Sequence, residues 1–134
     1  MVLATLLVGA CGGSSDSESG GESHGGKDAF VTSLVAEDVI ADVTVDPAKV
    51  GGVELHIEFT PPGGSLQQVT SVVGNLIPSD SSLSTIILRF ERDGTNHFHF
   101  EVSIPTPGDW TLDFDAALED GTSALYTTPV TFAP

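Results

Sequence analysis

A single cysteine, Cys11, stands among the 134 residues. No disulfide can form within the chain, so the fold has to rest on its apolar core. A domain of about 100 residues buries well over half of the surface its unfolded chain exposes, and such a core suffices. Cations are equally scarce: Lys27, Lys49, Arg89 and Arg92 face 19 carboxylates, for a formal net charge of −15. Gripping a phosphate backbone takes clustered Lys and Arg, so nucleic acid is excluded as a partner. The same charge repels anionic headgroups and holds the body of the protein off a lipid surface. It suits metal ions, cationic ligands or basic partners, or simply keeps an exterior protein soluble. The only methionine is Met1, which rules out a methionine-rich Cu(I) site. No apolar run approaches the roughly 20 residues of a bilayer span. There is no G-x-S-x-G elbow, no Gly-rich phosphate loop between strand and helix, and no H-E-x-x-H helix. The chain is therefore not expected to be an enzyme.

What the first residues do hold is a short apolar segment, Val2 to Ala10, closing as Leu7-Val8-Gly9-Ala10-Cys11. An apolar region ending in small residues directly before a cysteine is what a lipoprotein signal peptidase cuts. Residues 1–10 are expected to be a signal peptide, and Cys11 the lipidated first residue of a protein held to the cell membrane on its extracytoplasmic face. The membrane is thus a partner through that lipid. Met1-Val2-Leu3 lacks the basic start of such signals, so a start further upstream is expected. Lipidation consumes the only thiol, and acylation of the Cys11 amine removes an amino-terminal copper chelate. Residues 11–28, CGGSSDSESGGESHGGKD, contain no aromatic or β-branched residue. Such a tract cannot bury enough apolar surface to offset its ordering entropy, so it reads as a flexible tether with His24 incidental within it.

From Phe30 onward the pattern changes to short apolar alternations broken by Gly, Pro and Asp, with no segment holding a 3.6-residue period. Strands are expected at Phe30–Val35, Val39–Val45, Val53–Phe59, Val69–Ile77, Thr85–Glu91, Phe98–Ile104, Trp110–Ala116 and Ala124–Phe132. The fold class that follows is all-β, an immunoglobulin-like antiparallel β-sandwich of seven or eight strands over residues 29–134. Alternation puts Val53, Leu55, Ile57 and Phe59 on one side of their strand and Glu54, His56 and Glu58 on the other. It likewise separates Phe98, Phe100, Val102 and Ile104 from His97, His99 and Glu101, and Trp110, Leu112 and Phe114 from Asp113 and Asp115. Asp93-Gly94 reads as the turn of a hairpin from Thr85 to Ile104. Pro61-Pro62-Gly63-Gly64 and Pro105-Thr106-Pro107-Gly108 read as further turns.

Two runs resemble a known family. Asp42-Val43-Thr44-Val45-Asp46-Pro47-Ala48-Lys49-Val50-Gly51, followed by the strand Glu54-Leu55-His56-Ile57, resembles the opening of the YtkA-like domain. That small extracytoplasmic β-domain occurs alone or at the C-terminus of CopD/YcnJ-type copper transport proteins. Ile104-Pro105-Thr106-Pro107-Gly108-Asp109-Trp110-Thr111-Leu112-Asp113 is similar to that domain's later Pro-Gly turn and core Trp. Gly52-Val53 stands where the family usually carries Asn, and no membrane-spanning transport segment accompanies the domain. The resemblance implies a stand-alone lipoprotein associated with copper handling, with a membrane copper-transport protein as its partner. It does not carry transport itself to this chain.

Chemistry concentrates at His97-x-His99. Two residues apart on a strand, both imidazoles share one face with Cα atoms about 6.6 Å apart, near enough to converge on one ion. Imidazole suits Cu(II) and Zn(II), and Glu101 continues the face as an oxygen donor. His56, between Glu54 and Glu58, completes the site only if its strand lies beside this one. With no sulfur ligand at hand, Cu(II) is the expected cofactor if any is bound. The alternative leaves these histidines on a solvated face with no metal, and makes the domain an immunoglobulin-like interaction module for a membrane-protein partner. Asp109, Asp113, Asp115, Glu119 and Asp120 form an acidic cluster without the D-x-D-x-D-G spacing of a calcium loop, and read as a solvated face. Trp110 reads as a core anchor.

Overall fold

β-Branched and aromatic residues at every second position commit this chain to strands with one buried and one exposed side. The computed structural model describes residues 27–60 and 68–134. The expected signal peptide, Cys11, the tether as far as residue 26 with His24, and the Pro61-Pro62-Gly63-Gly64 turn lie outside the described residues. The described strands are β1 (Phe30–Ala36), β2 (Val39–Asp46), β3 (Gly51–Thr60), β4 (Val69–Pro78), β5 (Ile86–Arg89), β6 (Glu91–Gly94), β7 (His97–Ile104), β8 (Gly108–Leu118) and β9 (Ser123–Phe132). They form a five-stranded sheet in the order β1-β2-β3-β7-β6 and a four-stranded sheet in the order β5-β4-β8-β9. Every ladder between named strands is antiparallel. Among the described residues no helix is long and apolar enough to cross a membrane.

The expected alternation holds where it was clearest. Val53, Leu55, Ile57 and Phe59 from β3, and Trp110, Leu112 and Phe114 from β8, are all buried in one core supplied by both sheets. Phe98 and Ile104 join them, with Phe100 and Val102 packed at the margin. Trp110 is buried edge-on against Phe132, with ring centroids 6.2 Å apart. Near the other end Phe114 stacks on Tyr126 at 4.8 Å, and Phe59 meets both rings at 6.4 and 6.0 Å.

Two expectations need correction, and the first of them raises the expected seven or eight strands to nine among the described residues. The strand expected over Thr85–Glu91 is cut at Phe90: Ile86–Arg89 pairs with β4, whereas Glu91 begins a strand of the other sheet. Phe90 makes the crossing, its N–H donating to Val72 O and its ring packing on Phe100 at 6.1 Å. Periodicity alone cannot see a strand change sheets, because the side-chain alternation continues through it. The hairpin turn also lies further along than Asp93-Gly94. Gly94 pairs with His97 across a two-residue turn of Thr95 and Asn96, and Asn96 takes φ 57°.

The β1–β2 turn, Glu37-Asp38, has positive φ at both residues, 49° and 60°, the backbone of a tight hairpin. Tyr126 of β9 reaches it from the opposite sheet, its hydroxyl donating to Val39 O at 2.9 Å. Burial and the charge of Glu37 push the Tyr126 phenol up to about 12.

Gly74 supplies a close approach between β4 and β8. A Cβ there would stand 2.6 Å from Asp113 O and 3.0 Å from Phe114 Cβ. Gly74→Ala is expected to part this ladder and lower stability by about 1–3 kcal/mol, read from urea unfolding midpoints. Tyr126 sets an alkaline limit. An unfolded tyrosine ionises near pH 10, so between about pH 10 and about 12 the unfolded chain gives up a proton that the folded chain keeps, and stability falls as pH rises. Urea unfolding from pH 9 to 11.5 should show that decline in the parent and a shallower one in Tyr126→Phe.

Candidate metal centre

The site is built on the β3–β7 ladder, which runs through eight consecutive pairs from Gly51↔Ile104 to Glu58↔His97. Leu55 opposite Phe100 and Ile57 opposite Phe98 occupy the core side of these strands. His56 therefore comes directly opposite His99 on the outer side, with His97 one row further, opposite Glu58. The adjacency that His56 required is present. Its ring lies 5.4 Å from that of His97, near parallel, and 6.3 Å from that of His99. Glu101 falls on the next row, opposite Glu54, and does not enter the cluster.

The carboxylate that meets the imidazoles belongs to a different residue. Among the described residues, His56, Asp93 and His97 bring one ligand atom each within 4.8 Å of one another. Asp93, expected only as a turn residue, occupies an irregularity of the ladder. Arg92 pairs with Phe98 and Gly94 with His97, which leaves Asp93 as an extra residue without a partner on β7. A bulge of this kind redirects a side chain. Here it turns the carboxylate onto the imidazoles, where His97 Nδ1 donates to Asp93 Oδ1 and His99 Nδ1 lies 3.0 Å from Asp93 Oδ2. The sequence signal is the Asp-Gly pair itself, but its reading as a turn conceals a bulge at Asp93, two residues before the turn that begins at Thr95.

Other carboxylates surround the ring nitrogens. Glu54 Oε1 is 2.9 Å from His56 Nε2, and Glu91 Oε2 is 3.6 Å from His99 Nε2. Desolvation pushes the Asp93 carboxyl up, but the hydrogen bond from His97 and the charges of His97, His99 and His56 outweigh it, so the net shift is downward. Asp93 is thereby kept ionised beside three imidazoles. His99 Nδ1 is buried, and among the described residues no group meets it in hydrogen-bond geometry, although Asp93 Oδ2 is close.

Three imidazoles and one carboxylate are borderline donors suited to Cu(II) or Zn(II) rather than to Ca²⁺ or Mg²⁺, which take oxygen cages. A tetrahedral ion with bonds of about 2.05 Å needs donor atoms about 3.3 Å apart, so the cluster would close by side-chain rotation on binding. The side chains of His56, Asp93, His97 and His99 keep 27–36% of their surface exposed. This openness permits an ion to enter and leave from the sheet face.

Of the five acids in the expected acidic cluster three have local side-chain partners, whereas Asp115 Oδ1 is buried without a hydrogen-bond partner among the described residues. Asp113 accepts from Thr127 Oγ1, Asp109 from Thr131 Oγ1, and Asp120 from Thr122 N and Oγ1. Those bonds tie the acids of the last hairpin to neighbouring strand and loop residues. Cys11 lies outside the described residues.

Comparison with protein-family models, curated proteins and solved structures finds no match for this chain.

Asn96 holds the β6–β7 hairpin in place. It is buried, its Oδ1 accepts from Val69 N at 2.8 Å, and its carbonyl accepts from Phe59 N at 2.8 Å. Asn96→Ala strands the Val69 N–H and puts alanine at positive φ, and is expected to cost about 1–3 kcal/mol in urea unfolding.

Proposed function

We propose that this protein is an exported, lipid-anchored β-domain that binds a transition-metal ion, Cu(II) by preference, and serves metal homeostasis without catalysing a reaction. The observation that carries the reading is the convergence of His56, His97 and Asp93 on one open sheet face, with His99 beside Asp93 on its other oxygen. The two packed antiparallel sheets are compatible with an immunoglobulin-like sandwich. The two sequence runs quoted above support a YtkA-like identity, and with it a place beside copper transport. Cu(II) is preferred over Zn(II) because a given nitrogen and oxygen site binds it more tightly. Residues that would hold the ion are His56, His97, His99 and Asp93, with Glu54 fixing the His56 ring from behind. Lipidation of Cys11 would place the site outside the cell membrane.

A second reading draws on the opposite sheet. Val73, Ile87 and Leu125 are exposed on its outer face, around a groove of about 650 Å³ that Arg89, Asp113 and Asp115 also line. An apolar patch of this kind suits a scaffold role toward a membrane protein, with no ion needed.

Calorimetric titration of the full chain carrying Cys11→Ser, with Cu(II) and separately with Zn(II), decides between the readings. The first predicts one equivalent of Cu(II) bound with sub-micromolar affinity and Zn(II) bound more weakly. It also predicts at least a hundredfold loss in His56→Ala/His97→Ala/His99→Ala, about tenfold loss in Asp93→Asn, and less than twofold change in Glu101→Gln. No uptake, or uptake unchanged in the triple variant, removes the metal reading and leaves the scaffold.

A further inference from the structure

The four sheet edges of the described fold are not equally protected. An open strand edge offers unpaired N–H and C=O groups to any other strand, and proteins blunt such edges with charge, proline, bulges or brevity. Three of the edges here carry those devices. β5 has 4 residues. β6 also has 4, of which Glu91, Arg92 and Asp93 are charged and the ladder is bulged. β9 is long but contains Pro129, which has no N–H to offer. The fourth edge, β1, reads Phe30-Val31-Thr32-Ser33-Leu34-Val35-Ala36, with no charge, no proline and no glycine over its 7 residues. It is paired with β2 along its whole length, and among the described residues no strand pairs with its other side.

We propose that β1 is a homodimer edge, pairing antiparallel with β1 of a second copy about a twofold axis at Ser33. The occupant follows from the strand's own pattern. Because β1 spans Phe30–Ala36, the register that overlaps all its residues sets Ser33 opposite Ser33, Thr32 opposite Leu34, Val31 opposite Val35 and Phe30 opposite Ala36. On the outer face this places Val31 of each copy against Val35 of the other. These are two of the most exposed apolar side chains among the described residues, at 59% and 69%. Cross-strand β-branched pairs of this kind are the unit of sheet stabilisation. On the inner face Phe30 and Leu34 already pack against the core, and the pairing extends that layer across the axis. A register displaced by two residues sets one valine of each copy opposite Ser33 and carries the other past the end of the strand, breaking both valine pairs, so the pattern selects a single alignment. The interface is isologous, as closed twofold dimers require. A lone strand pair buries less than the roughly 1,200 Å² of a stable complex, so the dimer should be reversible and micromolar.

Sedimentation equilibrium of the full chain carrying Cys11→Ser, from 1 to 200 μM, tests this. The expected result is a monomer–dimer equilibrium with a dissociation constant in the micromolar range. V31K/V35K, which sets like charges opposite one another, should weaken it at least tenfold with unchanged thermal unfolding at low concentration. V31K/V35E should recover it, because each introduced cation then meets an introduced carboxylate of the other copy. In the same background Ser33→Cys should form an intermolecular disulfide under mild oxidation, whereas Ser123→Cys on β9 should not. A monomer at every concentration overturns the proposal. So does association that V31K/V35K leaves intact, or a larger assembly in which the V31K/V35E exchange restores nothing.

Discussion

The β3–β7 ladder is the constraint on which both faces of the five-stranded sheet depend. Its register aligns Leu55, Ile57, Phe98 and Phe100 toward the core and, by the same alternation, His56, His97 and His99 away from it. A slip of one residue would turn the histidines inward and expose the apolar set, which costs several buried side chains at about 1.5–3 kcal/mol each. Core packing therefore positions the imidazoles without any interaction made for that purpose. The cluster inherits the rigidity of the sheet, which a loop-borne set of ligands would lack.

The bulge at Asp93 is the one local irregularity that adds to this. A regular β6 would have given Asp93 a partner on β7 and set its carboxylate by strict alternation. The extra residue releases it from that rule, and the positive-φ Asn96 turn, tied to Val69 and Phe59, holds the resulting hairpin against the rest of the sandwich. Site and hairpin are thus coupled: the buried Asn96 anchors the element that carries Asp93, His97 and His99. Phe90 completes the arrangement by carrying the chain from one sheet to the other immediately before Glu91.

Most of the fold was legible because alternation and turn residues are local. The strands through Val53–Phe59, Phe98–Ile104 and Trp110–Ala116 show their core side in the order of residues alone, and all are found. What could not be read was whatever depends on pairing. His97-x-His99 announced a shared face, but whether His56 joined it turned on β3 lying beside β7, a tertiary fact. Asp93 was hidden for the same reason, since a bulge is defined only against a partner strand. The division of Thr85–Glu91 into β5 and β6 leaves no mark in the sequence because a strand that changes sheets keeps its period. Glu101 shows the converse: its alternation was right, yet opposite Glu54 it faces another carboxylate and stands a row away from the imidazoles.

The acids around the cluster act on a different scale from the imidazoles. Asp46, Glu54 and Glu101 lie directly across three adjacent strands on the row beside His56 and His99, lining a shallow trough of about 490 Å³. With a net charge of −15 over the whole chain, such a trough raises the local concentration of every cation without regard to its kind. Discrimination has to come from ligand chemistry, and only the neighbouring row offers nitrogen. Carboxylates that gather cations beside imidazoles that select among them form a sheet face suited to capturing a scarce transition metal in the presence of abundant Ca²⁺ and Mg²⁺. The gathering effect weakens as salt screens the acids, whereas the imidazole preference depends on coordination and persists. On the proposed reading, selectivity on this face would rest on three histidines whose positions are set by the packing behind them.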